Sequence, residues 1–296
     1  MAPCPFTLGA RAWRFLRSDD FRRAPVRAVS RRLAWRARWR LRPGEPIVLD
    51  PWALGLRIAL PRTGTAALVY YNGFSDPLLA NEIIDRLAPG TTYVEVGAHI
   101  GEYVLCAAAT VGPRGRVFAF EPNPALAGAV EENVRLNGLE NVTVLPLAVS
   151  ARSGRSGFHH NDRSGGGWLV QGPDAPLRVE TTSLDDFARR FRIRTIDLVK
   201  IDAAGAETDV LAGARELATS GRLPLVIAKL YNPAVARERF GVESLDLVEL
   251  LLRWGYRLKA LSGTGRVPIH NVSDISPVLA SAYTVVVVGT RSPSSL

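Results

Sequence analysis

Glu95 and the glycines behind it, Gly97 and Gly101, form the most suggestive constellation in the chain, within the run TYVEVGAHIGEYVLCAA (92–108). A dinucleotide fingerprint requires G-x-G-x-x-G. Here His99 and Glu102 stand where the next two glycines would be, and a side chain at the middle position obstructs close approach of a pyrophosphate. The phosphate-binding Lys of a P-loop is absent as well. What remains is G-x-x-x-G, enclosing Ala98 and His99, in front of a helix-like stretch. The N–H groups that open a helix suit a small carboxylate, and Glu95 can help to hold an ammonium group. Glu121 ends the next apolar run, ahead of Pro122 and Asn123 and twenty residues beyond Gly101. A carboxylate at such a strand end is placed to accept both hydroxyls of a ribose. An amino-acid end plus a ribose describes S-adenosylmethionine. The candidate cofactor residues are therefore Glu95, Gly97, Ala98, His99, Gly101, Glu121, Pro122 and Asn123. His99 is read as ordering the turn rather than as a base, and Asn123 as a helix N-cap as well as a ligand neighbour.

These residues need a scaffold, and the apolar rhythm supplies one. TYVEVG reads as a strand, GEYVLCAAATV as a helix, RVFAFEP as a strand, PALAGAVEENVRLNG as a helix and NVTVLPLA as a third strand. TIDLVKID, LPLVIAKL and YTVVVVG add further strands. Short apolar strands alternating with helices imply a doubly wound α/β fold with a mostly parallel sheet. Ligands of such folds bind at the C-terminal strand ends, near the switch point. The stretch 150–176, rich in Gly, Ser and Pro, reads as a loop or hairpin insertion.

Upstream, PLLANEIIDRLA reads as a helix stopped by Pro89-Gly90, and the runs within 46–61 as a short antiparallel pair. Residues 10–42 read as helical in pieces, broken near Pro25. The alternation WRARWRLR (35–42) fits a strand, whereas arginine favours a helix. The domain reading is an Arg-rich extension over 1–64, a main domain over 65–290 and a tail over 291–296.

The formal charge of +9 resides in the extension, where residues 1–45 carry twelve Arg against Asp19, Asp20 and Glu45. The neutral remainder argues against nucleic acid as the partner. The arm itself is read as packing its tryptophans on the domain, with a nucleic-acid or membrane surface as the alternative reading. Two cysteines, Cys4 and Cys106, fit a reducing compartment. No secretory leader or spanning run is evident, so a cytoplasmic protein is expected. His159-His160-Asn161-Asp162 lacks the spaced partners a metal site needs, and it reads as a surface loop.

VEVGAHIGEY, GRVFAFEPNP, NVRLNGLENVTVLPLAVS, TTSLDDF and DLVKIDAAGAETDVLAGA resemble, in order, the motifs of FkbM-type S-adenosylmethionine-dependent methyltransferases over roughly residues 65–290. The resemblance implies a Rossmann-like class I methyltransferase sheet and O-methylation of a small metabolite or saccharide. It also implies that the fourth strand's end faces the methyl group, which makes Asp202 the catalytic candidate, as base or orienting group. The family's K-I-D-V-E-G-A-E appears here as KIDAAGAE, with Ala203 and Ala204 in place of Val-Glu. Lys229 stands where relatives commonly carry Glu. These departures imply a more positive acceptor side, metal-independent transfer and, as the alternative, a catalytically impaired cofactor-binding relative. Glu207, early in the following helix, is read as structural.

Overall fold

The computed structural model describes residues 21–22, 24–160, 166–170, 175–262 and 265–291. Its elements run α1 (Pro25–Leu41), β1 (Ile47–Leu49), β2 (Ile58–Leu60), α2 (Gly64–Asn72), α3 (Pro77–Ile84), β3 (Thr92–Val96), α4 (Glu102–Val111), β4 (Arg116–Phe120), α5 (Pro124–Leu136) and β5 (Val142–Leu145). Next come β6 (Ala148–Val149), β7 (Gly154–His160), β8 (Gly167–Val170), β9 (Leu177–Thr182), α6 (Leu184–Arg190), β10 (Leu198–Ile201), α7 (Glu207–Ala212) and α8 (Arg215–Thr219). The chain closes with β11 (Leu225–Tyr231), α9 (Pro233–Phe240), α10 (Asp246–Arg253), β12 (Arg257–Ser262), β13 (Gly265–Ile269), α11 (Val272–Ser281) and β14 (Thr284–Thr290).

The main sheet has the order β13-β12-β14-β11-β10-β3-β4-β5. From β11 to β5 every pairing is parallel, while β14, β12 and β13 join antiparallel. The chain therefore winds outward from β3 through β4 to β5 and then returns to β10 on the other side of β3. The β3–β10 seam is the switch point, where an open α/β sheet leaves a crevice. Both faces of the sheet are covered, as period-2 alternation requires. Val117 and Ala119 point into one apolar layer with Tyr93, Val104 and Val130. Phe118 and Phe120 point into the other, with Phe187, Val199 and Leu211.

One expectation changes and one left open is decided. NVTVLPLA is not one strand, because Pro146 cannot donate to a ladder: Val142–Leu145 extends the main sheet, while Ala148–Val149 joins a second sheet of order β6-β9-β7-β8. The alternating arginine-tryptophan run is helical, since Trp35 and Trp39 lie one turn apart and are buried together with Ala28 on one face of α1. The expected break near Pro25 is present: Phe21 and Arg22 are helical, Ala24 is not, and α1 starts at Pro25, where the missing N–H costs nothing. Residues 10–20, with Trp13, lie outside the described part. The expected pair β1–β2 is present and antiparallel.

The described part of the extension packs on the rest of the chain. Trp35, Trp39, Ile58 and Leu60 share an apolar cluster with Ile100, Leu105 and Leu126 of the main domain. Buried Asn133 of α5 accepts from Ala59 N at 2.7 Å and donates to Ile100 O at 2.9 Å. Among the described residues, no helix is long and apolar enough to cross a membrane.

Candidate active site

Local rules bring the site residues to the switch point. β3 ends at Val96, and the following turn runs through Gly97, His99 and Gly101, all at positive φ (80°, 53° and 82°). Gly97 N and Ala98 N both donate to Phe120 O at 3.0 Å, which ties the turn to the end of β4. A Cβ on Gly97 would sit 2.1 Å from the Asp202 carbonyl oxygen, so only glycine lets β3 and β10 close there. Gly101 caps α4 without a side-chain hydrogen bond, leaving the first-turn N–H groups uncapped by a side chain.

Glu121 follows β4 directly. Its two carboxylate oxygens accept His99 N at 2.9 Å and Asn123 N at 3.0 Å. Burial pushes its carboxyl up to about 7, against the pull of those two N–H groups. Asn123 caps α5 by accepting Ala125 N at 3.0 Å, as the sequence suggested. His99 thus enters through its backbone, consistent with a turn-ordering role.

Glu95 has a nearer partner than a ligand. Its side chain is fully buried, with Lys200 Nζ 3.1 Å from Oε1 and Tyr93 Oη donating to Oε2 at 3.1 Å. Burial raises its carboxyl despite Lys200. Lys200 also donates to Gly97 O at 3.1 Å, so one buried ammonium holds both the carboxylate of β3 and the turn beyond it. The sequence reading gave Lys200 no role. Its signal was a lysine inside an apolar strand, which must be paired to be buried.

Asp202 follows β10 and donates its N–H to Val96 O at 3.0 Å. Lys229 of β11 lies 3.4 Å from its carboxylate. Burial pushes the Asp202 carboxyl up, but Lys229 and Lys200 outweigh this and hold it below the usual range. Asp202 in turn raises Lys229. Glu207 accepts Ala203 N at 3.0 Å and Gly205 N at 3.0 Å, folding the AAGAE loop onto itself. That is the structural role expected of it, and burial pushes its carboxyl up to about 7.

Glu95, Gly97, Ala98, His99, Glu121, Pro122, Lys200, Asp202 and Lys229 line one cavity of about 310 Å³, at the lower end of the range for small-molecule sites. Gly101 and Asn123, also read as cofactor residues, do not line it, and neither does Glu207. The insertion forms part of that wall. Of the loop or hairpin expected there, the described residues show strands: β7 and β8 pair antiparallel, and Phe158 and Trp168 face the cavity. His159 stacks on Trp168 at 4.3 Å between ring centroids, so the HHND stretch is strand where described. Asn161 and Asp162 lie outside the described residues. Tyr231, Arg239 and Phe240 complete the far side. Glu102, at the start of α4, accepts Ser75 N at 2.9 Å, and burial pushes it up to about 7. Among the described residues, no three His, Cys, Asp or Glu side chains gather as a metal site would require.

The sequence profile described as the Methyltransferase FkbM domain matches residues 95–258, more than half of the chain. A 2-O-methyltransferase, NoeI, of Sinorhizobium fredii is 33% identical over 128 residues, covering 37% of this chain and 52% of that protein. A hexuronic acid methyltransferase, AglP, of Haloferax volcanii is 29% identical over 160 residues, covering 53% of this chain and 59% of its own. The chain thus spans little more than half the length of these relatives. Among solved structures, an S-adenosylmethionine-dependent O-methyltransferase from Thermotoga maritima aligns with 84% of this chain and 79% of its own, at 14% identity and a TM-score of 0.43. The match begins at Glu95 and encloses the glycine turn, Glu121, Asp202 and Lys229, and on it the chain belongs to the FkbM methyltransferase family.

Proposed function

We propose that this protein transfers a methyl group from S-adenosylmethionine to a hydroxyl of a saccharide. The observation that carries the reading is the convergence, in one cavity, of the glycine turn, Glu121 and the Asp202–Lys229 pair. The names of the two relatives, one a 2-O-methyltransferase and one acting on a hexuronic acid, support a hydroxylated sugar as acceptor over other small metabolites.

The residues present fit the cofactor. An ionised carboxylate has about four acceptor positions; Glu121 uses two on backbone N–H groups and keeps two for ribose hydroxyls. The first turn of α4, lacking a side-chain cap, suits the carboxylate of the methionine end. Glu95, although paired with Lys200, lines the same wall and adds negative potential for the ammonium. When bound, the cofactor would supply an electrophilic methyl group on a sulfonium sulfur, with the neutral thioether as leaving group.

Most of the acceleration required of the protein is positional. Asp202, kept ionised by Lys229 and Lys200, accepts the hydrogen bond of the acceptor hydroxyl and turns an oxygen lone pair toward the methyl. A carboxylate held below its usual range is a weak proton acceptor, so Asp202 orients the hydroxyl and the proton passes on to solvent. Lys229 fixes the carboxylate in place.

The test pairs binding with turnover. Glu121→Ala should weaken S-adenosylhomocysteine by about 10- to 100-fold, the loss of charge-assisted hydrogen bonds. Asp202→Asn should leave that affinity intact and lower kcat by about 10²-fold, the cost of a misplaced acceptor, on whichever saccharide serves as acceptor. Unchanged affinity in Glu121→Ala refutes the site. Tight cofactor binding with no turnover on a broad saccharide panel refutes the transferase reading and leaves a cofactor-binding relative.

A further inference from the structure

The outer face of α1 carries a pattern that packing on the domain does not use. Its inner face buries Ala28, Trp35 and Trp39, with the Trp35 ring 5.4 Å from that of Tyr70 on α2. On the opposite side, Val26, Val29 and Leu33 follow one another at i, i+3 and i+7, which places them in a single stripe. Leu41 lies a little further round the same outer side. These side chains are 82%, 41%, 59% and 80% exposed, respectively. At about 100° per residue, Arg36 borders the stripe on one side and Arg27 on the other, while Arg40 continues the line of the stripe toward the end of the helix. The helix holds six Arg and no acidic residue. Glu45, just beyond it, pairs with Arg38 and Arg42, so among the described residues Arg27, Arg36 and Arg40 have no acidic partner.

We infer that this face docks α1 in the plane of an anionic lipid bilayer. An apolar stripe bordered by arginines is the arrangement in which side chains enter the acyl boundary while guanidinium groups stay with the headgroups. Charge selects this occupant over the others. A second copy would bring one arginine-bordered stripe against another, with no carboxylates to offset the repulsion. Nucleic acid would use the arginines and leave the aliphatic stripe in water. An anionic bilayer satisfies both halves of the pattern. The helix under α1 also contributes Thr65 and Leu68 to the cavity wall, so a docked α1 lies one helix away from the site. The inference does not depend on the methyl-transfer reading.

The experiment is co-flotation of the full chain with large vesicles, of phosphatidylcholine alone or with about 30 mol % phosphatidylglycerol, at about 0.1 M salt. Binding to the anionic vesicles should exceed binding to the neutral ones by about tenfold or more and fall as salt rises. Val29→Ser with Leu33→Ser should lower it by about tenfold, and Arg36→Gln with Arg40→Gln by a similar factor. Affinity for S-adenosylhomocysteine should be unchanged in each, which reports an intact fold. No binding to anionic vesicles overturns the inference, as does binding indifferent to the aliphatic changes. A dimer that dissociates on Leu33→Ser, without vesicle binding, overturns it in favour of a second copy. DNA or RNA binding lost only with the arginines, again without vesicle binding, overturns it in favour of nucleic acid.

Discussion

Gly97→Ala probes the closest backbone approach in the site. The new Cβ would lie 2.1 Å from the Asp202 carbonyl oxygen and 3.1 Å from its carbon. Neither strand can yield easily, because Ile201 pairs with Val96 and Asp202 N is bonded to Val96 O at 3.0 Å. Left-handed backbone (φ +80) costs a residue with a Cβ about 1–2 kcal/mol. Forcing an atom into a packed seam costs a further ~1–3 kcal/mol. The sum, about 2–5 kcal/mol, corresponds to a fall in Tm on the order of 10 °C for a domain of this size. Affinity for S-adenosylhomocysteine should fall with it, since the displaced turn carries both the cradle and the His99 N–H that holds Glu121. Gly128→Ala is the control: Gly128 lies within α5, and its new methyl would meet nothing within 4 Å. It should stabilise by about 0.5–1 kcal/mol. Denaturant unfolding and calorimetry read both variants. If Gly97→Ala keeps wild-type stability and affinity while Gly128→Ala shows its gain, the account of the seam is wrong.

Two further outcomes follow from burial. Glu102, Glu121 and Glu207 are each pushed up to about 7 from 4.5, so between those pH values the folded chain holds protons that the unfolded chain releases. Stability of the cofactor-free protein should therefore fall as pH rises from about 4.5 to 7, by up to ~1.4 kcal/mol per pH unit for each group, and Glu121→Gln should flatten that slope in unfolding titrations. Cofactor affinity should run the other way, weakening below pH 7 as the ribose-binding carboxylate is protonated; an unchanged slope in the variant would count against both. Trp39→Ala, removing a ring buried between α1 and the domain, should cost about 3–5 kcal/mol in chemical unfolding, and a loss below about 1 kcal/mol would show that the extension is dispensable to the fold.

The sequence displayed the βα rhythm because the strands from β3 to β11 are buried on both faces and read as short apolar runs. It left the arginine-tryptophan run undecided, because alternation and the i, i+4 spacing of Trp35 and Trp39 are present in the same eight residues. Only the neighbouring Tyr70 and Tyr71 rings settle it. Helix α2 escaped notice: GTAALVYYN has apolar residues on all sides, and its start is marked only by Thr63 accepting Ala66 N at 3.1 Å. The edge pair β12–β13 left no strong pattern either, whereas α10 has a clear apolar face of Leu247, Val248 and Leu251 that the sequence reading passed over. In the site, the glycines and Glu121 were legible from local spacing. Lys200 was not, because its partner Glu95 lies 105 residues away, and no local period reports a pairing across the sheet. The same holds for Trp168 and Arg239, which reach the cavity from separate elements.

The Asp202–Lys229 pair bears on what the substitutions at the acceptor side do. Taken alone, a lysine on β11 and an alanine at position 204 make the site more positive than a relative with glutamates at both places. The lysine is not an independent charge, however. It lies 3.4 Å from Asp202, with both side chains about a quarter exposed, so the pair presents a near-neutral dipole to the cavity. Ala204, at φ 49, sits in left-handed backbone that costs a non-glycine residue about 1–2 kcal/mol. Glu207 holds that loop through the N–H groups on either side of Ala204, in a strained form that leaves the end of β10 open to the cavity. The departures from the family motif therefore act together. Ala204 puts an uncharged side chain in the cavity wall, Lys229 pairs with Asp202, and the carboxyl at the switch point is held below its usual range.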